Sequence, residues 1–250
     1  MSGHSHWSTI KRKKGAADAK RGKVFSKCAK AIAVAARTGG GDPAMNLRLR
    51  YAIDDAKAVN MPNANIERAV KKGTGELDDG TVIEEVLYEG YGPGGVAVLV
   101  EALTDNRNRT SSDIGKRFER HGGNLGQPGC VAWMFSQKGV VTVTGFDDEE
   151  RLMDVALSAG ADDLAATDDG FDVLAPPDAF EAVKTALTEA GIPFEHAAVS
   201  QVPQSYISLE EADARKVLAL LEGLEDNDDV QKVHSNFDVS PEVLEKLQAG

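Results

Sequence analysis

The chain has 250 residues, 42% of them hydrophobic, with 28 Lys and Arg against 40 Asp and Glu for a formal charge of −12. That size and apolar share allow more than one buried core, and no run approaches the roughly 20 apolar residues of a membrane-spanning helix. The charge is split: residues 1–72 hold 16 basic against 5 acidic residues (+11), and residues 73–250 hold 12 against 35 (−23).

The first 21 residues read as a polar, basic arm containing His4, Trp7 and the cluster Lys11-Arg12-Lys13-Lys14. No apolar h-region follows the cluster, so it does not read as a secretory signal. A helix is predicted over 22–37, stopped by Thr38-Gly39-Gly40-Gly41. Asp42-Pro43 predicts a cap with Pro at the first helical position, opening a second helix to Val59. Asn60-Met61-Pro62 breaks it, and Asn63 caps a third, short helix to Lys72 that Gly73 ends.

From Thr81 the pattern changes to β-branched runs bounded by glycines. Strands are predicted at 82–89 and 96–104 around the turn Gly92-Pro93-Gly94-Gly95, then a helix from Asp105 to His121 and a strand at 131–135. Residues 140–202 read as a unit of their own, a βαββαβ order typical of the ferredoxin-like split motif. A helix at 209–223 and a strand at 230–237 complete the earlier pieces, in what reads as a rotated order of the same elements. The expected class is therefore α+β, with an N-terminal three-helix domain and two ferredoxin-like α+β domains, one inserted in the other. The boundaries are 1–80 for the arm and helical domain, 81–139 with 203–250 for the discontinuous domain, and 140–202 for the insert.

The basic half points to a polyanion, which Lys and Arg hold through its phosphates with release of counterions. On the first helix Lys20, Lys23, Lys27, Lys30 and Arg37 share an arc of roughly 100°, beside an apolar arc of Val24, Cys28, Ile32 and Ala35. The charged arc is expected to face outward, since like charges at these spacings repel unless an anion compensates them. In the arm, Trp7 beside His4 and the Lys11–Lys14 cluster suits stacking on unpaired bases; packing onto the helices is the alternative for Trp7. Arg21, next to Lys20 in sequence, is a further nucleic-acid-binding candidate. Arg107 and Arg109 stand where a strand enters a helix, placed for a phosphate or carboxylate, or for nearby acids.

The Gly90–Gly95 loop joins two strands and lacks a following Gly-Lys-Ser/Thr, so neither nucleotide fingerprint has its context. The five histidines form no metal-protease pair, and the scattered carboxylates form no acid–base pair. No catalytic residue, cofactor, metal or small-molecule substrate is expected, and Cys28 and Cys130 suit a reducing cytoplasm. If Met1 is removed, Ser2-Gly3-His4 would offer Cu(II) a square-planar nitrogen site, chemistry read as incidental.

The residues also carry a resemblance. Gly3–Trp7, Ala19–Lys23, Ala56–Pro62 with Asn65–Arg68, Tyr88–Pro93, Leu103–Thr110, and Gly122–Gly126 with Trp133 and Phe135 resemble the YebC family, which includes a mitochondrial translational activator of cytochrome c oxidase. His6, Leu47 and Cys130 depart from that pattern, where Lys, Pro and Ser are usual. The resemblance implies three domains around a cleft and a non-enzymatic role in gene expression. Members have been regarded as DNA-binding transcriptional regulators; others are ribosome-associated factors that assist difficult sequences such as consecutive prolines. The expected function is a nucleic-acid-binding, DNA-binding transcriptional regulator. The alternative is a ribosome-associated translation factor on ribosomal RNA. The expected partners are DNA or ribosomal RNA, with the ribosome but no membrane.

Overall fold

A computed structural model describes residues 21–77, 80–167 and 170–249. Among the described residues three helices come first: α1 (Arg21–Gly39), α2 (Leu47–Ala58) and α3 (Asn63–Gly73). Their shared core contains Ile32, Ala35 and Ala36 of α1, Leu49 and Ala56 of α2, and Ile66 and Ala69 of α3. Small residues let α1 and α3 approach closely. A Cβ on Gly73 would stand 2.3 Å from the Ala33 carbonyl oxygen, so this position accepts glycine alone. Gly73 is therefore both the last residue of α3 and a packing residue. The left-handed glycine after the helix is Gly75, at φ 84°.

The second helix starts later than Asp42-Pro43 predicts. Asp42 instead closes a turn, its carboxylate accepting from Ala44 N at 2.9 Å and its carbonyl from Met45 and Asn46. Asn46 is the cap. Its Oδ1 accepts from Leu49 N, while its Nδ2 donates to the carbonyls of Ala35 and Gly40 at 2.8 Å each. One buried amide thus serves both the end of α1 and the start of α2, which Asp42 could not do without a donor. Likewise α3 begins at Asn63 with Pro62 as the flanking residue, so Asn63 does not cap it.

The first sheet has the order β3-β1-β2-β9, where β1 is Glu84–Tyr91, β2 Ala97–Thr104, β3 Asn124–Leu125 and β9 Val230–Ser235. Strands β1 and β2 pair as an antiparallel hairpin from Glu84↔Thr104 to Tyr91↔Ala97. One face carries Val86, Tyr88, Val98 and Val100 against α4 (Arg107–Arg120) and α7 (Glu211–Glu225), around Ile114, Phe118, Leu220 and Leu221. Asn106, not Asp105, caps α4, accepting from Arg109 N through Oδ1. A short parallel pair, β8 (Ile207–Ser208) with β10 (Phe237–Asp238), and α8 (Pro241–Ala249) close the end of this core.

The second sheet has the order β5-β6-β4-β7, with β4 Phe135–Thr144, β5 Asp163–Thr167, β6 Gly170–Ala175 and β7 His196–Pro203. With α5 (Glu149–Ser158) and α6 (Phe180–Glu189) it forms the βαββαβ order of the ferredoxin-like motif. The first sheet reaches the same all-antiparallel arrangement by another connection, since its hairpin joins the two central strands rather than rotating the chain order. Residues 131–134 are not a strand: Ala132–Met134 is a 3₁₀ turn, and β4 begins at Phe135 and runs through 139–140 without a break. The cause is Glu89 on β1. Its buried carboxylate accepts from Gly129, Val131 and Ala132 N–H at 2.6, 2.8 and 2.7 Å, withdrawing those donors from any ladder. Although burial pushes the Glu89 carboxyl up, these three bonds hold it below its ordinary range.

Because Phe135–Gly139 pair with Pro203–Val199, a fragment of residues 135–203 should fold alone and melt higher than one of 140–202. Thermal unfolding by circular dichroism compares the two. A disordered amide NMR spectrum for the longer fragment would contradict a self-sufficient unit.

Candidate functional site

The row of lysines on α1 does not face open solvent. It faces the C-terminal end of α7 and the turn that follows, Asp226-Asn227-Asp228-Asp229. Lys23 Nζ donates to the Asp226 carbonyl at 3.2 Å and to its carboxylate at 3.4 Å, and pairs with Asp228 at 3.6 Å. Lys27 Nζ donates to the Glu225 carbonyl at 2.6 Å. Lys30 Nζ donates to the Asp228 carbonyl at 3.2 Å and to Asp229 Oδ1 at 2.6 Å. This corrects the outward-facing reading. The compensating anion lies in the chain itself, as a helix C-terminus whose carbonyls carry partial negative charge together with three aspartates. Arg37 also turns inward, donating to the carbonyls of Ile83 and Thr81.

Asp229 is the centre of this contact and is only 5% exposed. Besides Lys30, its carboxylate accepts from Arg109 Nη2 at 2.8 Å, Thr110 Oγ1 at 2.7 Å and Thr104 Oγ1 at 3.3 Å. Its carbonyl accepts from Leu103 N at 2.8 Å, and its own N–H donates to Asn227 Oδ1 at 2.8 Å. Burial pushes the carboxyl up, but the bonds from Lys30, Arg109 and Thr110 outweigh it and hold the pKa at about 2. Arg109 is correspondingly committed, to Asp229 and to Asp105 at 2.7 Å. Arg107, two residues earlier, is exposed, and its carbonyl accepts from the Tyr88 hydroxyl at 3.2 Å. The structure therefore separates the two arginines that the sequence placed together.

Sequence reasoning singled out Lys23, Lys27, Lys30 and Arg109, and allowed Arg109 a nearby acid such as Asp105, but did not single out Asp226, Asp228 and Asp229. A run of acids in an acidic half carries no local sign of burial. His4, Trp7, Lys11, Arg12, Lys13, Lys14 and Lys20 lie outside the described residues, as does the Ser2–His4 copper motif. Arg21 opens α1.

A cleft of about 1240 Å³ lies beside this contact, bounded by α1 and α2, the outer face of β1 and β2, and β7 with the start of α6. Several of its charged groups meet one another. Arg48 forks onto Glu85 at 2.9 and 2.7 Å. Tyr51 donates to Glu181 at 2.6 Å, with its ring edge-on to Phe180. His234, buried behind the cleft, has Nε2 2.9 Å from Glu101 Oε1 and Nδ1 3.5 Å from Ser200 Oγ. Burial opposes ionisation of Glu101, but His234 and Lys232 hold its carboxyl below the ordinary range. That chain of contacts ties β2 and β9 to β7, and Lys232 adds a bond to the Val199 carbonyl at 3.2 Å.

Family models match both parts of the chain: the TACO1/YebC protein N-terminal domain over residues 5–76, and the TACO1/YebC second and third domain over residues 83–237. The chain belongs to the TACO1/YebC family. A relative from Geobacter sulfurreducens, named a probable transcriptional regulatory protein, is 57% identical over 247 residues, covering 99% of this chain and all of the relative. One of the same name from Syntrophus aciditrophicus is 54% identical over 250 residues and the full length of both. The crystal structure of a conserved hypothetical protein from Aquifex aeolicus is similar at a TM-score of 0.79 and 47% identity, covering 89% of this chain and 92% of that one. The α+β architecture, with a helical region leading into sheet domains, is thus a family property. Among the described residues no helix is long and apolar enough to cross a membrane.

Asp229→Ala leaves Lys30 and Arg109 without their buried partner and should cost about 3–5 kcal/mol in urea unfolding. Asp228→Asn, at an exposed pair, should cost about 0–1 kcal/mol. Because the folded-state pKa of Asp229 is depressed to about 2 from 3.8, its contribution is complete above pH 3.8 and lost as pH falls through about 2. The wild type should therefore lose roughly 2 kcal/mol more across that window than Asp229→Ala does.

Proposed function

We propose that this protein is a non-enzymatic, cytoplasmic regulator of gene expression that binds DNA through its basic N-terminal part. The observation that carries the reading is the charge partition: +11 over residues 1–72 against −23 over the rest. Part of that charge is consumed internally by the turn after α7. What supports a polyanion partner is the remainder. The Lys11–Lys14 cluster precedes α1 in sequence, and Lys57 of α2 with Arg68 and Lys71 of α3 are exposed and form no ion pair with the described residues. The names of the relatives favour transcription as the process.

A non-enzymatic role is supported by the cleft. Its Arg48 and Tyr51 are engaged with Glu85 and Glu181, and His234 behind it with Glu101, rather than converging on open space. The cations that remain for a partner are suited to phosphates, so backbone contacts would dominate the interface and sequence preference would be modest. The same cations would engage ribosomal RNA, the basis of a translation factor that assists proline-rich sequences.

Replacing Lys11, Arg12, Lys13 and Lys14 together with Gln should weaken duplex DNA binding and flatten the slope of log K against log salt by ~0.9 for each phosphate no longer neutralised. Fluorescence anisotropy across a salt series measures both. An unchanged slope would remove the arm from the interface. Sedimentation with ribosomes, together with failure to crosslink to DNA in cells, would move the function to translation.

A further inference from the structure

The contact between α1 and the turn after α7 has two halves of unlike strength. Lys30 and Asp229 are largely enclosed, with side-chain exposures of 25% and 6%. Among the described residues Lys23 pairs with the exposed groups of Asp226 and Asp228, and such pairs are worth about 0–1 kcal/mol. Lys27 reaches a helix-terminal carbonyl. The row's spacing of four and three residues places successive ammonium groups about one helical turn apart. The acceptors opposite them are an irregular line of carboxylates and carbonyls, the same chemical character as a phosphodiester backbone.

We infer that the turn Glu225–Asp229 is a built-in competitor for the lysine row, covering Lys23 and Lys27 until a phosphodiester backbone displaces it. Lys30 stays on Asp229 throughout and acts as the pivot. This rests on the polyanion binding proposed above and adds its regulation. In the closed state Lys23 and Lys27 contribute nothing to the first encounter, which falls to cations outside the row. Engagement then exchanges weak internal pairs for phosphate contacts. It also frees the rim of the cleft, since Lys23, Lys27, Glu225 and Asp226 all line it. Salt weakens both the exposed pairs and the phosphate contacts, so the competition is read from a difference between variants at each salt concentration.

The test is a double variant, Asp226→Asn with Asp228→Asn, in the full chain. Neither side chain is buried, at 53% and 65% exposure, so the fold should tolerate the change. A control, Asp154→Asn with Glu189→Gln, removes the same charge from exposed positions on α5 and α6. The probes are a fluorescein-labelled DNA duplex and an RNA hairpin, titrated across a salt series. Loosening the turn by uncovering Lys23, which the two carboxylates hold, should tighten binding by about three- to tenfold. It should also steepen the salt slope by ~0.7–0.9 for each lysine that gains a phosphate, while the control stays at the wild-type values. Equal tightening in the control, or no change in the double variant while the wild type binds, overturns the competitor and leaves the polyanion reading standing. Binding by the double variant alone supports the competitor. If neither the wild type nor the double variant binds either probe, both readings fall.

Discussion

The carboxylate of Asp229 is buried where three stretches of chain meet, and their relative placement depends on its remaining ionised. Helix α1 reaches it through Lys30, the entrance to α4 through Arg109 and Thr110, and the end of β2 through Thr104. A carboxylate taken out of water is costly unless charge and hydrogen bonds replace its hydration. Here two cations and two hydroxyls do so, and the backbone of the same residue is fixed by Leu103 and Asn227. The contact is also directional. Lys30 can reach Asp229 only if α1 lies along the end of α7, which sets the helical part against the first sheet. The packing of Val34 against Ile83 and Leu103 completes that placement with apolar surface.

Helix α2 makes the second set of connections, and it makes them in two directions. Arg48 grips Glu85 on the first sheet by a forked pair, whose geometry fits a guanidinium and not an ammonium. Tyr51, one turn on, donates to Glu181 of α6 and packs on Phe180, with Lys184 over both rings. Burial and the bond to Glu181 together push the Tyr51 hydroxyl above its ordinary range, so it remains a donor. One short helix thus bridges the two sheet units on one side of the cleft, while β9 meets β7 directly. Along the cleft walls Arg48 meets Glu85 and Lys23 meets Asp226, charges from different elements paired across short distances.

Charge patterning has a different meaning in three dimensions than along the chain. Read linearly, a row of lysines and a distant run of aspartates are a basic and an acidic region, each seeking a partner. Folded, the two neutralise each other at a helix terminus, where exposed carbonyls add to the acid charge. The N-terminal part holds 16 basic residues, and among the described ones Lys23, Lys27 and Lys30 are those that meet the turn.

Much of the fold was legible in the sequence because its signals are local. The βαββαβ order came from alternating apolar runs and turn glycines, and the hairpin of β1 and β2 from two β-branched stretches around Gly92–Gly95. These periodicities reflect burial of one face, which any packing partner would demand. Family membership was equally readable from motif spacing. What the sequence left open were the choices made by long-range polar groups. Asn46 rather than Asp42 starts α2 because its amide can donate back to α1 while its oxygen caps forward. Residues 131–134 leave the strand because Glu89, some 40 positions away, takes their N–H groups. The direction of the lysine row was decided in the same way. Periodicity fixes which residues share a helical face, but only the tertiary structure decides what that face meets, since a charge is satisfied by whatever opposite charge the fold brings within reach.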